Sequence, residues 1–271
     1  ARFLSWYAGV VRAGLGRHFG GQVQVGGWAG DAVRLQLHYV GITLSDCTEL
    51  FAELSGVACK DDPKPWPPAD AEQNPDGAEG WMAPWEDADA SAYHVGTAQR
   101  YFDLSRAEDP AFAPAVARLA GGSPSGLVVA LNYALGHASE AVLAARKDTT
   151  VHPQVYTAIG VLKVEILKHD MIPTATTPVN TAEANNFEWI REQLAIVTPG
   201  AGSYYNEGDY LVEAFQSQYW GSNYPELLAT KDKYDPGNVF TCHQCVGSDR
   251  FASACGRRLG DSEGASSGFF V

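Results

Sequence analysis

A nearly uninterrupted apolar run at residues 126–135, Gly-Leu-Val-Val-Ala-Leu-Asn-Tyr-Ala-Leu, constrains the fold of this chain most strongly. A short apolar run of this kind predicts a strand in the centre of a sheet. Asn132 is the polar side chain within it, and a buried amide needs hydrogen-bond partners. We therefore take Asn132 as a candidate for contacting a substrate, with a hydrogen bond to a neighbouring strand as the alternative.

Period-two alternation predicts further strands beside this central one. Residues 22–39 show the pattern on each side of a glycine-rich stretch, which predicts two strands joined by a turn. Residues 156–166 form another alternating segment, with Lys163 and Glu165 on the same face. These two residues line either a pocket mouth or a solvated edge of the sheet, and we favour the solvated edge.

Amphipathic helices are predicted between the strands, because apolar residues recur there at helical spacing. The expected helices cover residues 5–18, 43–54, 110–119, 181–196 and 225–233. Strands interleaved with helices predict an α+β fold, with a mixed, largely antiparallel sheet covered by helices on one face. Residues 60–92 are rich in proline and cannot be regular, so we expect an ordered loop over part of a pocket, or an exposed linker.

Charge and hydropathy exclude several classes of partner. The chain has 271 residues and a formal net charge of -13 at pH 7, which disfavours nucleic acid and anionic membrane surfaces. No apolar run reaches the about 18 residues that a membrane-spanning helix needs. A small neutral molecule is the expected substrate.

Cysteine usage is typical of a secreted protein rather than a cytosolic one. Cys47 and Cys59 lie close together in the sequence, and Cys242, Cys245 and Cys255 cluster near its end. We predict a structural disulfide from this cluster to Cys255. The spacing of Cys242 and Cys245 also fits half a zinc site or a redox pair, and both alternatives stay open.

Three motifs near the end of the chain carry a family resemblance. They are a Tyr-x-Asn-x-x-Asp segment at residues 204–209, an aromatic-Gly-x-Asn-Tyr segment at residues 220–224 and a helix stopped by Tyr-Asp-Pro at residues 234–236. In this order and spacing they resemble the C-terminal part of the berberine-bridge-enzyme-like flavoprotein oxidases, within the vanillyl-alcohol-oxidase superfamily. A His-Pro turn at residues 152–153 adds to the match, which is strongest over residues 126–250.

The resemblance implies a division into two domains, of which this chain carries the second. Residues 1–250 are expected to form the substrate-binding domain, and residues 251–271 a C-terminal tail. The sequence contains no glycine-rich phosphate loop. FAD is therefore expected to be held by an N-terminal flavin domain in a separate or cleaved chain, giving a heterodimer. The start at Ala1 is that of a processed or truncated product.

The resemblance also implies roles for individual residues. Tyr204 is expected beside the flavin ring and the substrate, where it would take the proton of an alcohol, and Asn206 is expected to contact the cofactor. The hydride would pass to the flavin and dioxygen would reoxidise it. A phenol has a pKa near 10, so it serves as a base only where its surroundings lower that pKa. The alternative for Tyr204 is a structural tyrosine, and Asp209 is predicted to cap a following helix.

A second function from another class remains open. The expected substrate of an oxidase is a carbohydrate, a phenolic alcohol or a secondary metabolite, whereas a chain that lost its flavin would serve as a lectin-like binding module. Aromatic residues that could stack on sugar rings are Trp66, Trp81, Trp85, Trp189 and Trp220. Packing in the core explains such tryptophans equally well. A fragment with no activity of its own is the third possibility.

Overall fold

The computed structural model describes residues 2–26, 33–39, 42–54, 59, 93–123, 126–131, 139–145, 147–168, 181–209, 211–212 and 214–251. Its centre is a five-stranded sheet with the order β2-β1-β4-β5-β3. The strands are β1 Phe19–Val25, β2 Val33–Tyr39, β3 Tyr93–Phe102, β4 Leu127–Leu131 and β5 Gly160–Lys168. Every pairing among them is antiparallel. The predicted α+β fold is confirmed, and its described sheet contains no parallel pair.

The strand register stacks apolar side chains on one face of the sheet. Val23 of β1 lies opposite Val129 of β4, and Val129 lies opposite Leu162 of β5. All three side chains are buried. Because successive residues of a strand point to opposite faces, this register places every second residue of each strand in the same apolar layer.

Seven α-helices are described, and some of them cover this apolar face. The helices are α1 Arg2–Arg12, α2 Leu44–Phe51, α3 Leu104–Glu108, α4 Phe112–Gly122, α5 Glu140–Ala145, α6 Thr181–Val197 and α7 Tyr224–Tyr234. Buried residues of α1, α4 and α6, such as Tyr7, Phe112 and Ile190, form one core with the sheet. The predicted helical layer on one face is therefore confirmed. None of the helices within the described ranges is long and apolar enough to cross a membrane.

The opposite face of the sheet carries polar residues and one small apolar cluster. Gln22 and Gln24 of β1 are half-buried there, as is Lys163 of β5. Tyr101 and Val161 pack with Ala158 near the end of the sheet that β3 and β5 share. This second face therefore carries polar side chains along the middle of the sheet.

Several element boundaries differ from those predicted. Strand β3 and helices α3 and α5 were not predicted. Strand β5 begins at Gly160, because Pro153–Tyr156 forms a 3-10 helix at the predicted strand start. Helix α1 ends at Arg12, and the residues up to His18 form a short 3-10 helix after a turn. The proline-rich residues 60–92 lie outside the described part of the chain.

Two disulfides are described, and one differs from the prediction. Cys47 of α2 pairs with Cys59. Cys242 pairs with Cys245 rather than with Cys255, which lies outside the described residues. The pairing of Cys242 with Cys245 has a geometric reason. The turn at residues 242–245 closes with a hydrogen bond from the Cys245 amide to the Cys242 carbonyl, and this bond brings both residues together.

Candidate active site

The segment that carries Tyr204 lies along an edge of the sheet. Strand β3 is the outermost strand on that side, and its Tyr101 amide donates to the carbonyl of Gly202 at 2.9 Å. Tyr204 has an extended backbone and precedes a 3-10 helix, Tyr205–Glu207. The Tyr-x-Asn motif is therefore a short turn that docks on the free edge of β3.

The side chain of Gln99 in β3 fixes this turn by two hydrogen bonds. Its side-chain amide donates to the carbonyl of Tyr204 at 3.0 Å and to the carbonyl of Glu207 at 2.8 Å. The side chain is almost completely buried. A primary amide has two N–H donors, and here both serve the two ends of one turn. Gln99 thus fixes the backbone at both ends of the turn, at Tyr204 and at Glu207.

The functional groups of the turn remain accessible. Tyr204 is 41% exposed, and Asn206 is exposed as well. The amide nitrogen of Asn206 donates to the phenolic oxygen of Tyr204 at 2.7 Å. The phenol proton is consequently directed away from Asn206 and is available to a bound molecule. This pair can present a hydroxyl and an amide to a cofactor or a substrate.

A lysine on the polar face of the sheet extends the site. The ammonium of Lys163 lies 2.8 Å from a carboxylate oxygen of Glu207, and the Lys163 side chain is only 17% exposed. Lys163 therefore belongs to the site, and its assignment to a solvated edge was wrong. The prediction failed because the alternation of β5 places Lys163 on one face but does not show that the Tyr204 turn docks beside that face. No side-chain position is described for Glu165.

Tyr101 contributes a second phenol next to Tyr204. Burial raises the pKa of Tyr101 to about 12, and the neighbouring Tyr204 and Glu207 add to this effect. A phenol with so high a pKa stays protonated under ordinary conditions. Tyr101 can donate a hydrogen bond to a bound molecule but is not suited to removing a proton.

Asp209 has a different role from the helix cap that its position predicted. It is buried, and its Oδ2 lies 2.7 Å from the Arg191 guanidinium of α6. Its other oxygen accepts from the amide of Leu211 at 2.9 Å, which closes a turn and not a helix. The cap prediction failed because Leu211, whose amide donates to Asp209, lies in a turn and not in a helix. Asp209 instead joins the end of the Tyr204 turn to α6.

Aromatic side chains support the turn on its other side. The Tyr205 ring centroid lies 5.4 Å from that of Tyr219 and 5.0 Å from that of Trp220. Tyr219 and Trp220 are buried, and the hydroxyl of Tyr219 donates to the backbone carbonyl of Asp209 at 2.8 Å. The Tyr205 ring thus packs on these two aromatic side chains, although Tyr205 as a whole is about as exposed as Tyr204.

The remaining predicted site residues are placed only in part. Asn132 lies outside the described residues, so its assignment stays a prediction. The same holds for three of the five tryptophans considered for sugar stacking, Trp66, Trp81 and Trp85. The other two pack against the protein, since Trp220 is buried and Trp189 lies against Gly122 of α4. Within the described ranges no cluster of at least three His, Cys, Asp or Glu side chains is arranged to hold a metal ion.

Comparison with known proteins bears directly on this site. The family described as berberine and berberine-like matches residues 203–247, which begin at the Tyr204 turn. FAD-linked oxidoreductase apf9 of Gibberella fujikuroi is 34% identical over 121 residues, which make up 43% of this chain and 20% of that protein. The chain carries a berberine-bridge-enzyme-like domain. FAD-linked oxidoreductase ZEB1 of Gibberella zeae is 36% identical over 86 residues, or 32% of this chain and 14% of that protein.

Several solved structures share the fold of this chain. The VAO-type flavoprotein MtVAO713 of Myceliophthora thermophila C1 superimposes with a TM-score of 0.56 at 18% identity, covering 91% of this chain and 45% of that one. A chitooligosaccharide oxidase superimposes with a TM-score of 0.53 at 19% identity, covering 90% of this chain and 52% of that one. This chain thus spans about half the length of those structures. The partial coverage agrees with the predicted C-terminal domain.

Sequence reasoning missed Gln99, Tyr101 and Glu207 as members of the site. Glu207 lies inside the Tyr-x-Asn-x-x-Asp motif, at a position that the motif leaves unspecified. Gln99 and Tyr101 lie on one face of β3, and Ala98 and Phe102 lie on the other, but residues of both faces are buried and no apolar alternation marks the strand.

Proposed function

We propose that this chain is the substrate domain of an FAD-dependent oxidase that oxidises an alcohol. The observation that carries the proposal is the accessible Tyr204–Asn206 pair, which lies beside Lys163 and Glu207 at the start of the family-matched segment. A hydroxyl, an amide, an ammonium and a carboxylate are brought together on one edge of a rigid sheet. Such a set can bind and orient an alcohol and accept its proton.

The accessible groups of the site also fit contact with a flavin. Tyr204 and Asn206 are exposed, and a phenol and an amide are suitable partners for the polar edge of an isoalloxazine ring. When bound, FAD would supply the acceptor for the hydride and the subsequent reaction with dioxygen. Because these residues span about half of the related structures, we propose that an FAD-binding domain outside these residues completes the site.

Tyr204 has the central role in this proposal. Its phenolic oxygen accepts a hydrogen bond from the Asn206 amide, which fixes the position of that oxygen. As the phenolate, Tyr204 would accept the proton of the substrate hydroxyl and become a neutral phenol, while the substrate carbon gives up a hydride to the flavin. Tyr101 would stay protonated and would orient the substrate as a hydrogen-bond donor. Asn132 is a further proposed substrate contact.

The ion pair of Lys163 and Glu207 holds the turn against the polar face of the sheet. Its two members come from β5 and from the turn itself, so the pair adds a second attachment beside the Gln99 amide. The Lys163 ammonium is largely removed from water, which strengthens its electrostatic effect on nearby groups. The pair therefore orders the turn and supplies charge beside Tyr204.

The substrate class follows from the surroundings rather than from one contact. The chain is strongly acidic, with a net charge of -13, so a neutral alcohol is favoured over an anionic one. Structural relatives include a chitooligosaccharide oxidase, which supports a carbohydrate, while a phenolic alcohol or a secondary metabolite also fits.

We further propose that the protein is secreted, supported by the disulfides at Cys47–Cys59 and Cys242–Cys245.

Replacement of Tyr204 by phenylalanine tests the proposed role. In the complete flavoprotein, Tyr204→Phe should lower the rate of flavin reduction by an alcohol by about 100- to 10,000-fold, because general base catalysis contributes an effect of that size. Tyr205→Phe is the matched control, since Tyr205 packs against Tyr219 and Trp220. Equal rates for the Tyr204 variant and the wild-type protein would refute the proposed role of Tyr204.

A further inference from the structure

The ring of His152 connects three segments behind the Tyr204 turn. Its Nδ1 accepts a hydrogen bond from the backbone amide of Gln154 at 3.1 Å. Because an N–H can only donate, Nδ1 must be unprotonated, and the proton of the neutral ring lies on Nε2. Nε2 then donates to the backbone carbonyl of Ser217 at 3.2 Å. Both ring nitrogens of neutral His152 are thus engaged, one with its own turn and one with the π-helix Gln216–Trp220.

Two glycines leave the space that this ring occupies. A Cβ atom on Gly202 would lie 2.5 Å from Nε2 of His152, and one on Gly221 would lie 2.7 Å from it. Real Cβ atoms do not approach other atoms so closely, and Gly221 also has a positive φ of 54°. The backbone of both segments therefore approaches the imidazole directly. His152 is wedged between the start of the Tyr204 segment and the end of the π-helix.

The residues that His152 holds lead directly into the Tyr204 turn. The amide of Gly202 donates to the side-chain oxygen of Gln154 at 2.7 Å. The amide of Ser203 donates to the carbonyl of Gln218 in the π-helix at 2.8 Å. The Tyr204 turn thus follows directly on a backbone segment, Gly202 and Ser203, which the His152 turn holds on one side and the π-helix holds on the other.

We propose that neutral His152 is a positioning residue that holds the Tyr204 turn in place, and that protonation of His152 releases this turn. The inference rests on the proposed function, since Tyr204 is the working residue that His152 would position. It assigns to His152 a pH-dependent control of the site.

The chemistry of the ring explains why protonation would have this effect. A second proton would sit on Nδ1, where it would face the N–H of Gln154 and replace an acceptor by a donor. The other groups packed against the ring are the Ser217 carbonyl and the phenol of Tyr101, whose ring centroid is 6.2 Å away. Tyr101 has a pKa of about 12 and remains neutral. No charged side chain in the described ranges contributes to stabilising an imidazolium at this position.

Burial lowers the pKa of His152, and the hydrogen bond to Ser217 partly opposes this effect. The unfolded or released segment therefore binds a proton more readily than the held one. The contribution of His152 to holding the turn is complete above the ordinary histidine pKa of about 6.5 and is lost as the pH falls below it. The loss ends once the pH passes below the lowered pKa of the held state.

Hydrogen exchange measured by mass spectrometry on the whole purified protein tests the proposal without any substrate. After correction for the intrinsic chemical rate, amide exchange in residues 201–207 should accelerate between about pH 7.5 and about pH 5, by roughly tenfold for each unit of pKa lowering. Exchange in the buried strand β4 serves as an internal reference. A rate in residues 201–207 that stays constant over this range would overturn the proposal.

His152→Asn separates positioning from simple capping. Asparagine can still accept from the Gln154 amide, as a good N-cap does, but its side chain is too short to reach Ser217. This variant should exchange rapidly at residues 201–207 at both pH values and lose the acid-dependent acceleration. His18→Asn is the matched control, because His18 precedes β1, which two strands separate from β3. The control should behave as the wild-type protein, and a His152 variant that also did so would refute the role.

Nuclear magnetic resonance of the wild-type histidines keeps the test decisive even if the variant does not fold. The ring of His152 should show protonation on Nε2 alone at neutral pH. Its titration midpoint should coincide with the midpoint of the exchange acceleration in residues 201–207, and separate midpoints would contradict the proposal. Neither readout requires flavin or turnover, so a protein that proved to have no oxidase activity would refute the proposed function and leave this inference standing.

Discussion

Asp209→Asn is the sharpest test of how the site is attached to the core. Asp209 is 1% exposed, and its carboxylate pairs with Arg191 at 2.7 Å. Arg100 is also buried, and it senses the negative charge of Asp209, which opposes the lowering of its pKa by burial. An asparagine would keep the hydrogen bond from the Leu211 amide but would leave both guanidinium groups without their countercharge.

The expected magnitude follows from the burial of the pair. Removal of one partner of a buried ion pair costs about 3–5 kcal/mol, because the remaining charge stays buried and uncompensated. The whole unfolding free energy of a domain is about 5–15 kcal/mol, so this loss is a large part of it. With a urea slope of about 3 kcal/mol per M, the unfolding midpoint should fall by about 1 to 1.7 M.

Urea unfolding followed by tryptophan fluorescence and circular dichroism provides the assay. Asp232→Asn is the matched control, since Asp232 pairs with Arg250 at 2.5 Å but lies on the surface, with 56% of its side chain exposed. Surface pairs are screened by solvent, so this variant should unfold at the wild-type midpoint. Equal shifts for the two variants, or no shift for Asp209→Asn, would show that the pair does not anchor the turn.

Three further substitutions test the attachment of the turn and the packing around it. Gln99→Glu replaces the amide donors by oxygen atoms that face two carbonyls, and should lower the unfolding free energy by about 2–4 kcal/mol, whereas Gln24→Glu on the same sheet face should cost less than about 1 kcal/mol. Gly202→Ala would place a methyl group against the His152 ring and should cost about 1–3 kcal/mol in thermal unfolding. Gly121→Ala in α4 meets no atom within 4 Å and should raise the stability by up to about 1 kcal/mol, so a loss there would contradict the account of these glycines.

The elements with local signals were predictable from the sequence. The hairpin of β1 and β2 follows from period-two alternation around glycines. Helix α2 follows from Thr43 and Asp46, which form a complete capping box in the structure. Both signals depend on residues only a few positions apart, and this is why a single sequence contains them.

The contacts that build the site are long-range and were not predictable in this way. Gln99 is a buried polar residue whose partner Tyr204 lies 105 positions further along the chain. Arg100 is likewise buried on the helical face beside Asp209. Such residues break the apolar alternation of β3 and are satisfied only once distant segments have docked. The motif around Tyr204 identified the site, while its supporting residues required the structure.

The visible absorption spectrum of the native protein, recorded with a denaturing gel and then under anaerobic addition of alcohols, tests the central claim most directly. The account predicts flavin absorption bands in the fractions that contain this chain, a second polypeptide or a longer precursor carrying the flavin, and bleaching of those bands by an alcohol. Hydrogen peroxide should form once air is admitted. A colourless protein that carries this chain alone, and that binds sugars without forming peroxide, would contradict the oxidase assignment and favour a binding module.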